Sequence, residues 1–356
     1  DLTYNWRNTI VQIRAFNNVP DDVIRYSKAF FKGTKTREMA TCMKHFPGDG
    51  TEENDQHLIM GVNEMSCEEW DQTYGKVYKA LIDEGVMTVM AGHIALPAYS
   101  RKLRPGIKDV DIRPATLAPE LITDLLKGQL GFNGLVVTDA SHMIGMFGAT
   151  VPRSEQVPGA IAVGCDMFLF FNDREEDFGY MMEGYKKGIL SEKRLDEAVT
   201  RILAAKAAIG LHKKTKEELV PGKEDLRILR NETYENWAKE CADKSVTLVK
   251  NNENILPLSP AKTKRVLLEI LGNYPSSTRV TEHWKALLEK EGFEVSVYEK
   301  EDFSSAPDFS VGTFVSKYDL VLYVGNMENA SNQVTNRYQW YTFWGNGDNC
   351  PWFTAE

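Results

Sequence analysis

The segment KHFPGDGTEENDQH, Lys44 to His57, holds a lysine–histidine pair, two glycines and the acids Asp49, Glu52, Glu53 and Asp55, and it ends in Asp55-x-His57. A carboxylate two residues before a histidine on a polar, glycine-containing loop is suited to proton transfer. Imidazole, with an ordinary pKa of about 6.5, gives and recovers a proton near neutrality. Asp55 could orient the ring and stabilise the imidazolium. The plainer alternative is a solvated charged turn. Asp139 closes the apolar run Leu135-Val136-Val137. A carboxylate fixed at a strand end can attack an electrophile along a defined line, although such a residue also serves as the N-cap of a following helix.

Lys44, His45 and Arg14 stand at the ends of other apolar runs and are suited to donating hydrogen bonds to sugar hydroxyls, Arg14 also to an N-acyl oxygen. A metal is the rival use of the histidines. No H-x-H or H-E-x-x-H pattern occurs, which leaves His45, His93 and Asp139 on successive strands as the one assembly to consider. No G-x-G-x-x-G fingerprint follows a strand, so nucleotide binding is unsupported. The expectation is no metal and no cofactor.

These residues need a scaffold. The runs NTIVQIRAF, CMKHFPGDG, GVMTVMAGH, GLVVTDA and AIAVGCDMFLF predict short buried strands ending near Arg14, Lys44–His45, His93 and Asp139, the last holding Asp166. Trp70, Tyr74, Val77, Tyr78, Leu81 and Ile82 recur at helical spacing between them, behind a Ser66/Glu69 capping box. Leu195 to Ile209 marks another helix that stops at Gly210. Strands alternating with helices predict parallel β/α units. In a (β/α)₈ barrel, Arg14, Lys44, His45, His93 and Asp139 would gather at the C-terminal rim. A full barrel takes about 250 residues and eight strands, so the first strands are expected to lie outside this sequence.

The expected division is a catalytic barrel over residues 1–212, a charged linker over 213–233 and a second α/β domain over 234–356, itself expected to be incomplete. The second domain is predicted from the runs RVLLEIL, FEVSVYE and YDLVLYVGN, with the helix VTEHWKALLEKEG between the first two. The aromatic stretch YQWYTFWGNGDNCPWFTAE follows them.

The 356 residues carry a net charge of -9, which argues against a nucleic-acid partner. No run approaches the roughly 18 apolar residues that a membrane span needs. The five cysteines, Cys42, Cys67, Cys165, Cys241 and Cys350, have no metal-knuckle or redox spacing and are expected to be free thiols. The chain opens on DLTYNW without a methionine, so the compartment, cytoplasmic or exported in a bacterium, is left open.

The same motifs resemble glycoside hydrolase family 3, and within it the β-N-acetylglucosaminidase branch. KHFPGDGTEENDQH is similar to that branch's signature, and GFNGLVVTDASHM to its nucleophile strand. VMTVMAGHIALPA and AIAVGCDMFLF are similar to further barrel strands, RLDEAVTRILAAKAAIGL to the helix that ends the barrel, and SVTLVKNNENILPL to the entry of the C-terminal domain. The resemblance implies a TIM-type barrel followed by an α/β sandwich domain. It also implies Asp139 as nucleophile, His57 as acid/base with Asp55 as its partner, and Lys44, His45 and Arg14 on sugar hydroxyls. Asp49 stands where many members have a second histidine.

On this resemblance the expected activity is retaining hydrolysis of terminal β-linked N-acetylglucosamine (GlcNAc) from peptidoglycan-derived or chitin-derived saccharides. The alternatives are a phosphorylase, because a neutral histidine does not repel phosphate as a carboxylate would, and a non-catalytic carbohydrate-binding relative.

Overall fold

The computed structural model describes residues 1–326 apart from 9, 13, 148–150, 221, 253, 273–275 and 299–310. The aromatic C-terminal stretch and Cys350 lie outside the described residues. The chain divides into two compact units, one built on Asp1–Lys214 and one that begins at Thr215.

The first unit is organised by a parallel sheet of β1 (Cys42–Phe46), β3 (Thr88–Ala91), β5 (Leu135–Ala140) and β6 (Met167–Leu169), hydrogen-bonded in that order. Val89 lies beside both Met43 and Val136, so the three apolar runs stack side by side. A second, two-stranded parallel pair, β2 (Gly61–Val62) and β4 (Ile94–Ala95), joins the chain after His57 to the chain after β3. Among the described residues the sheet is a four-stranded arc, with β1 and β6 at its edges.

Helical spacing carries through to packing. Ser66 and Glu69 form the reciprocal capping box, and the helix runs through Cys67–Trp70, Asp71–Gly75 and Lys76–Glu84 to a left-handed Gly85. It lays Trp70, Tyr74, Val77, Tyr78 and Leu81 on the sheet, where Phe46 meets Trp70 and Tyr78 edge-on with ring centres 6.3 and 5.2 Å apart. Edge-on pairs of this kind add about 0.5–1.5 kcal/mol beyond their area burial. The core also fixes the start of the polar loop. Trp70 Nε1 donates to Pro47 O at 2.7 Å, and Tyr74 Oη donates to Leu2 O and Asp49 O at 2.8 and 3.1 Å. Gly48, at φ +134°, has the Tyr74 ring 2.3 Å from where a Cβ would sit, so no side chain fits there.

One expected strand is absent. The run NTIVQIRAF forms turns among its described residues, because the Asn8 side-chain oxygen accepts from the backbone N–H of Ile10 and Val11 at 2.9 and 2.7 Å. Local Asn–backbone bonds of this kind compete with a strand ladder. Ile10 and Val11 are buried nonetheless, which accounts for the strand-like apolarity of the run.

In the second unit, β7 (Arg265–Gly272) is central to a parallel sheet in the order β8 (Glu294–Val297), β7, β9 (Leu320–Asn326), with a helix over Ser276–Lys290. The stretch 211–245 folds into short helical turns and a helix over Glu232–Ser245. No helix among the described residues is long and apolar enough to cross a membrane. Cys42, Cys67, Cys165 and Cys241 are free.

Candidate active site

Asp139 is the next-to-last residue of β5, and its side chain is 13% exposed. Its Oδ1 accepts from the backbone N–H of Ala140 at 2.8 Å, and its Oδ2 lies 3.9 Å from His45 Nε2. One oxygen is therefore held by the backbone. The other faces the site across a gap too long for a hydrogen bond.

His45 is buried at the end of β1. Its backbone N–H and its Nδ1 both meet Asp1 Oδ1, at 3.1 and 3.2 Å. Burial pushes the imidazole down to about 4, against the pull of the Asp139 and Asp49 carboxylates. A neutral ring that donates from Nδ1 to Asp1 leaves Nε2 as an acceptor facing Asp139 Oδ2.

The dyad is formed. His57 Nδ1 meets Asp55 Oδ1 at 2.6 Å, and the same oxygen accepts from the His57 backbone N–H at 2.8 Å. Asp55 Oδ2 is buried with no hydrogen-bond partner among the described residues, so the carboxylate charge is left to the imidazole. Among the described residues no hydrogen bond to His57 Nε2 is present, and the side chain is 21% exposed.

The loop is fastened to the segment that follows Asp139. Ile144 N–H donates to His57 O at 3.0 Å and Gly145 N–H to Gln56 O at 3.1 Å. Backbone hydrogen bonds thus tie the loop that carries the dyad to the segment that follows the strand-end carboxylate.

His93 plays a different part from the one its position after β3 implies. It is fully buried, its Nδ1 meets Thr116 Oγ1 and its Nε2 meets Ala140 O, both at 2.9 Å. A carbonyl only accepts, so Nε2 carries the proton and Nδ1 accepts from Thr116. Both nitrogens are occupied, Nε2 in holding the Ala140 carbonyl beside Asp139 and Nδ1 on the Thr116 hydroxyl, and burial lowers the ring's pKa. Among the described residues no group of three or more His, Cys, Asp or Glu side chains is placed to hold a metal, the His45–His93–Asp139 set included.

Arg14 and Lys44 line a cavity of about 350 Å³ together with Asp1, against the apolar side chains of Met43, Tyr74 and Tyr78. Arg14 lies in a turn rather than at a strand end, and both cations are near enough to His45 to lower its pKa further. Sequence reasoning missed Asp1, Gln56 and Asn8. Gln56 shows no signal beyond its place between Asp55 and His57, whereas Asn8 beside an apolar run is a turn former that could have been weighed.

A model of the glycosyl hydrolase family 3 N terminal domain matches residues 1–205. A β-N-acetylglucosaminidase/β-glucosidase of Cellulomonas fimi is 43% identical over 349 residues, which is 96% of this chain and 61% of that protein. A β-hexosaminidase of Chromobacterium violaceum is 32% identical over 176 residues, 49% of this chain and 46% of that protein. A solved structure described as the β-glucoside phosphorylase BglX is 39% identical with a TM-score of 0.86, covering 94% of this chain and 60% of that one. The chain spans less than two thirds of the length of each of these relatives. The family domain occupies more than half of the sequence and contains every residue of the site just described, and the chain belongs to glycosyl hydrolase family 3.

Proposed function

We propose that the protein containing this chain cleaves terminal β-linked GlcNAc from peptidoglycan-derived or chitin-derived saccharides, with retention of configuration. The observation that carries this reading is the Asp55–His57 pair fastened by two backbone hydrogen bonds to the segment after Asp139. In the first step Asp139 Oδ2 attacks C1, the C1–O bond breaks, and protonated His57 gives its Nε2 proton to the departing oxygen. Asp55 Oδ1 holds Nδ1–H and offsets the imidazolium charge. In the second step neutral His57 takes a proton from water as the water oxygen bonds to C1, the C1–Asp139 bond breaks to return the carboxylate, and the sugar leaves in the β configuration. His45 Nε2 accepts a sugar hydroxyl, while Lys44 and Arg14 donate to others. The scaffold of this reading is a (β/α)₈ barrel domain to which residues 1–212 belong, then a linker over 213–233 and an α/β sandwich domain from 234.

A second acceptor, phosphate, is favoured by one observation: the 39% identical structure is described as a β-glucoside phosphorylase. His57 is neutral after the first step, so it does not repel the anion.

The test is His57→Ala in the full-length protein, assayed on alkyl and nitrophenyl β-GlcNAc with and without phosphate. Proton transfer by a positioned side chain is worth about 10²–10⁴-fold. The loss should approach that on alkyl substrates and be far smaller on the release of nitrophenol. Equal losses on both would remove His57 from the proton transfer. Sugar 1-phosphate formed by the unmodified protein would establish phosphate as the acceptor.

A further inference from the structure

Gln56 stands between the two members of the dyad and is 2% exposed. Its side-chain Nε2 donates to Asp49 Oδ2 at 3.0 Å, and its Oε1 accepts from the backbone N–H of His93 at 3.0 Å. Its own carbonyl accepts from Gly145 N–H at 3.1 Å. The three bonds reach three different places: Asp49 follows β1, His93 follows β3, and Gly145 follows β5. Asp49 is itself held, since its Oδ1 accepts from Asn8 Nδ2 at 3.0 Å.

The chemistry of the partners fixes the direction of the amide. A carboxylate only accepts and a backbone N–H only donates, so turning the Gln56 amide over would oppose acceptor to acceptor and donor to donor. A buried amide without partners is strongly unfavourable, because its lost water contacts are not replaced. The fastening is therefore specific to a group that donates at one end and accepts at the other.

We propose that Gln56 is the latch of the dyad loop, a positioning residue whose side chain, locked to Asp49 and the His93 backbone, sets Asp55 and His57 against Asp139. Its catalytic consequence rests on the reading of His57 as acid/base. The loop geometry does not.

The polarity of the latch supplies the test. Gln56→Glu, tested at a pH high enough that the buried pair does not share a proton, sets two carboxylates against each other, and Asp49→Asn sets two donors against each other. The double variant Asp49→Asn/Gln56→Glu restores every bond. The amide introduced at position 49 still accepts from Asn8 through its oxygen and now donates through its nitrogen. The carboxylate introduced at position 56 accepts that bond and still accepts from the His93 N–H. In the full-length protein, amide exchange over residues 52–58 should quicken at least tenfold in each single variant and return toward the original rate in the double. Turnover of alkyl β-GlcNAc should follow the same pattern, with losses of about 10–100-fold for a displacement near 1 Å. In a His57→Ala background the Gln56 change should add nothing to the alkyl loss, since coupled residues are not additive. Thermal melting separates misfolding from unlatching. If one single variant fails to fold, the other and the double still decide. Single variants with unchanged exchange, or a double variant no better than the singles, would overturn the latch. An exchange pattern as expected alongside His57→Ala losses that ignore the leaving group would keep the latch and refute the acid/base role.

Discussion

Gly145→Ala is a perturbation whose sign separates two accounts of the loop. Gly145 lies in the helical turn Ile144–Phe147, where alanine is favoured over glycine by about 1 kcal/mol. In free space the substitution would stabilise. Here an added Cβ would sit 2.4 Å from Gln56 O, 3.0 Å from Ile59 O and 3.1 Å from His93 Cβ, whereas ordinary contacts begin near 3.4 Å. The Gln56 carbonyl must therefore retreat by about 1 Å to reach an ordinary contact. That movement loosens the bonds Gly145 N–H to Gln56 O and Ile144 N–H to His57 O. At about 1 kcal/mol each, the docking of the loop weakens by about 2 kcal/mol. A misplacement of about 1 Å at a catalytic group costs on the order of 10²-fold. The assay is turnover of alkyl β-GlcNAc against first-turnover release of nitrophenol from nitrophenyl β-GlcNAc, with amide exchange of residues 52–58 measured on the same samples. The alkyl substrate should lose on the order of 10²-fold and the nitrophenyl substrate much less, with faster exchange in the loop. A variant that melts higher, exchanges slowly and keeps alkyl turnover would refute the packing argument.

Two further outcomes follow from buried charges. Glu269 on β7 is buried and its carboxyl is pushed up to about 7, so the folded state holds a proton that the unfolded state has released. Stability from this site is present below about 4.3 and is lost as pH rises through 7, so Glu269→Gln should raise the melting temperature of the second unit at pH 8 and leave it nearly unchanged at pH 4. Arg194 joins Asp166, with Cys165 O and Ile161 O also on its guanidinium. Among the described residues, Arg194→Met leaves Asp166 with Lys127, at 3.6 Å, as its one remaining cationic partner, and should cost about 3–5 kcal/mol by denaturant unfolding. A cost below 1 kcal/mol would show that Lys127 takes over the charge.

The strand that carries Asp139 was legible because a continuous apolar run between turn formers is what a largely buried strand requires, and the strand that carries His45 was legible from buried Met43 and Phe46 just before Pro47 and Gly48. The helix after Ser66 was legible from its cap and spacing, and Gly85 and Gly210 end their helices in the left-handed conformation. The Asp55–His57 contact follows from a two-residue separation in a turn. What failed was the run before Arg14, where apolar content was taken for a strand although Asn8 redirects the backbone. The β2/β4 pair was not legible, because two-residue strands carry no periodicity. The structural task of His93 was also hidden. A histidine at a strand end has the same sequence context whether its nitrogens face a ligand or, as here, Thr116 and the Ala140 carbonyl. The fastening of the loop depends on contacts between residues 37 and 89 positions apart, Gln56 with His93 and with Gly145, which local sequence does not report.

The proposed mechanism requires Asp139 to form the covalent bond to the sugar. The direct measurement is to incubate the full-length protein with a slow fluorinated β-GlcNAc substrate, digest it, and locate the added mass by tandem mass spectrometry. One glycosyl label per chain is expected, on the Asp139 carboxyl, absent from Asp139→Ala and discharged by water or by phosphate when the acceptor is added. A label on any other carboxylate, or retained turnover by a folded Asp139→Ala protein, would contradict it.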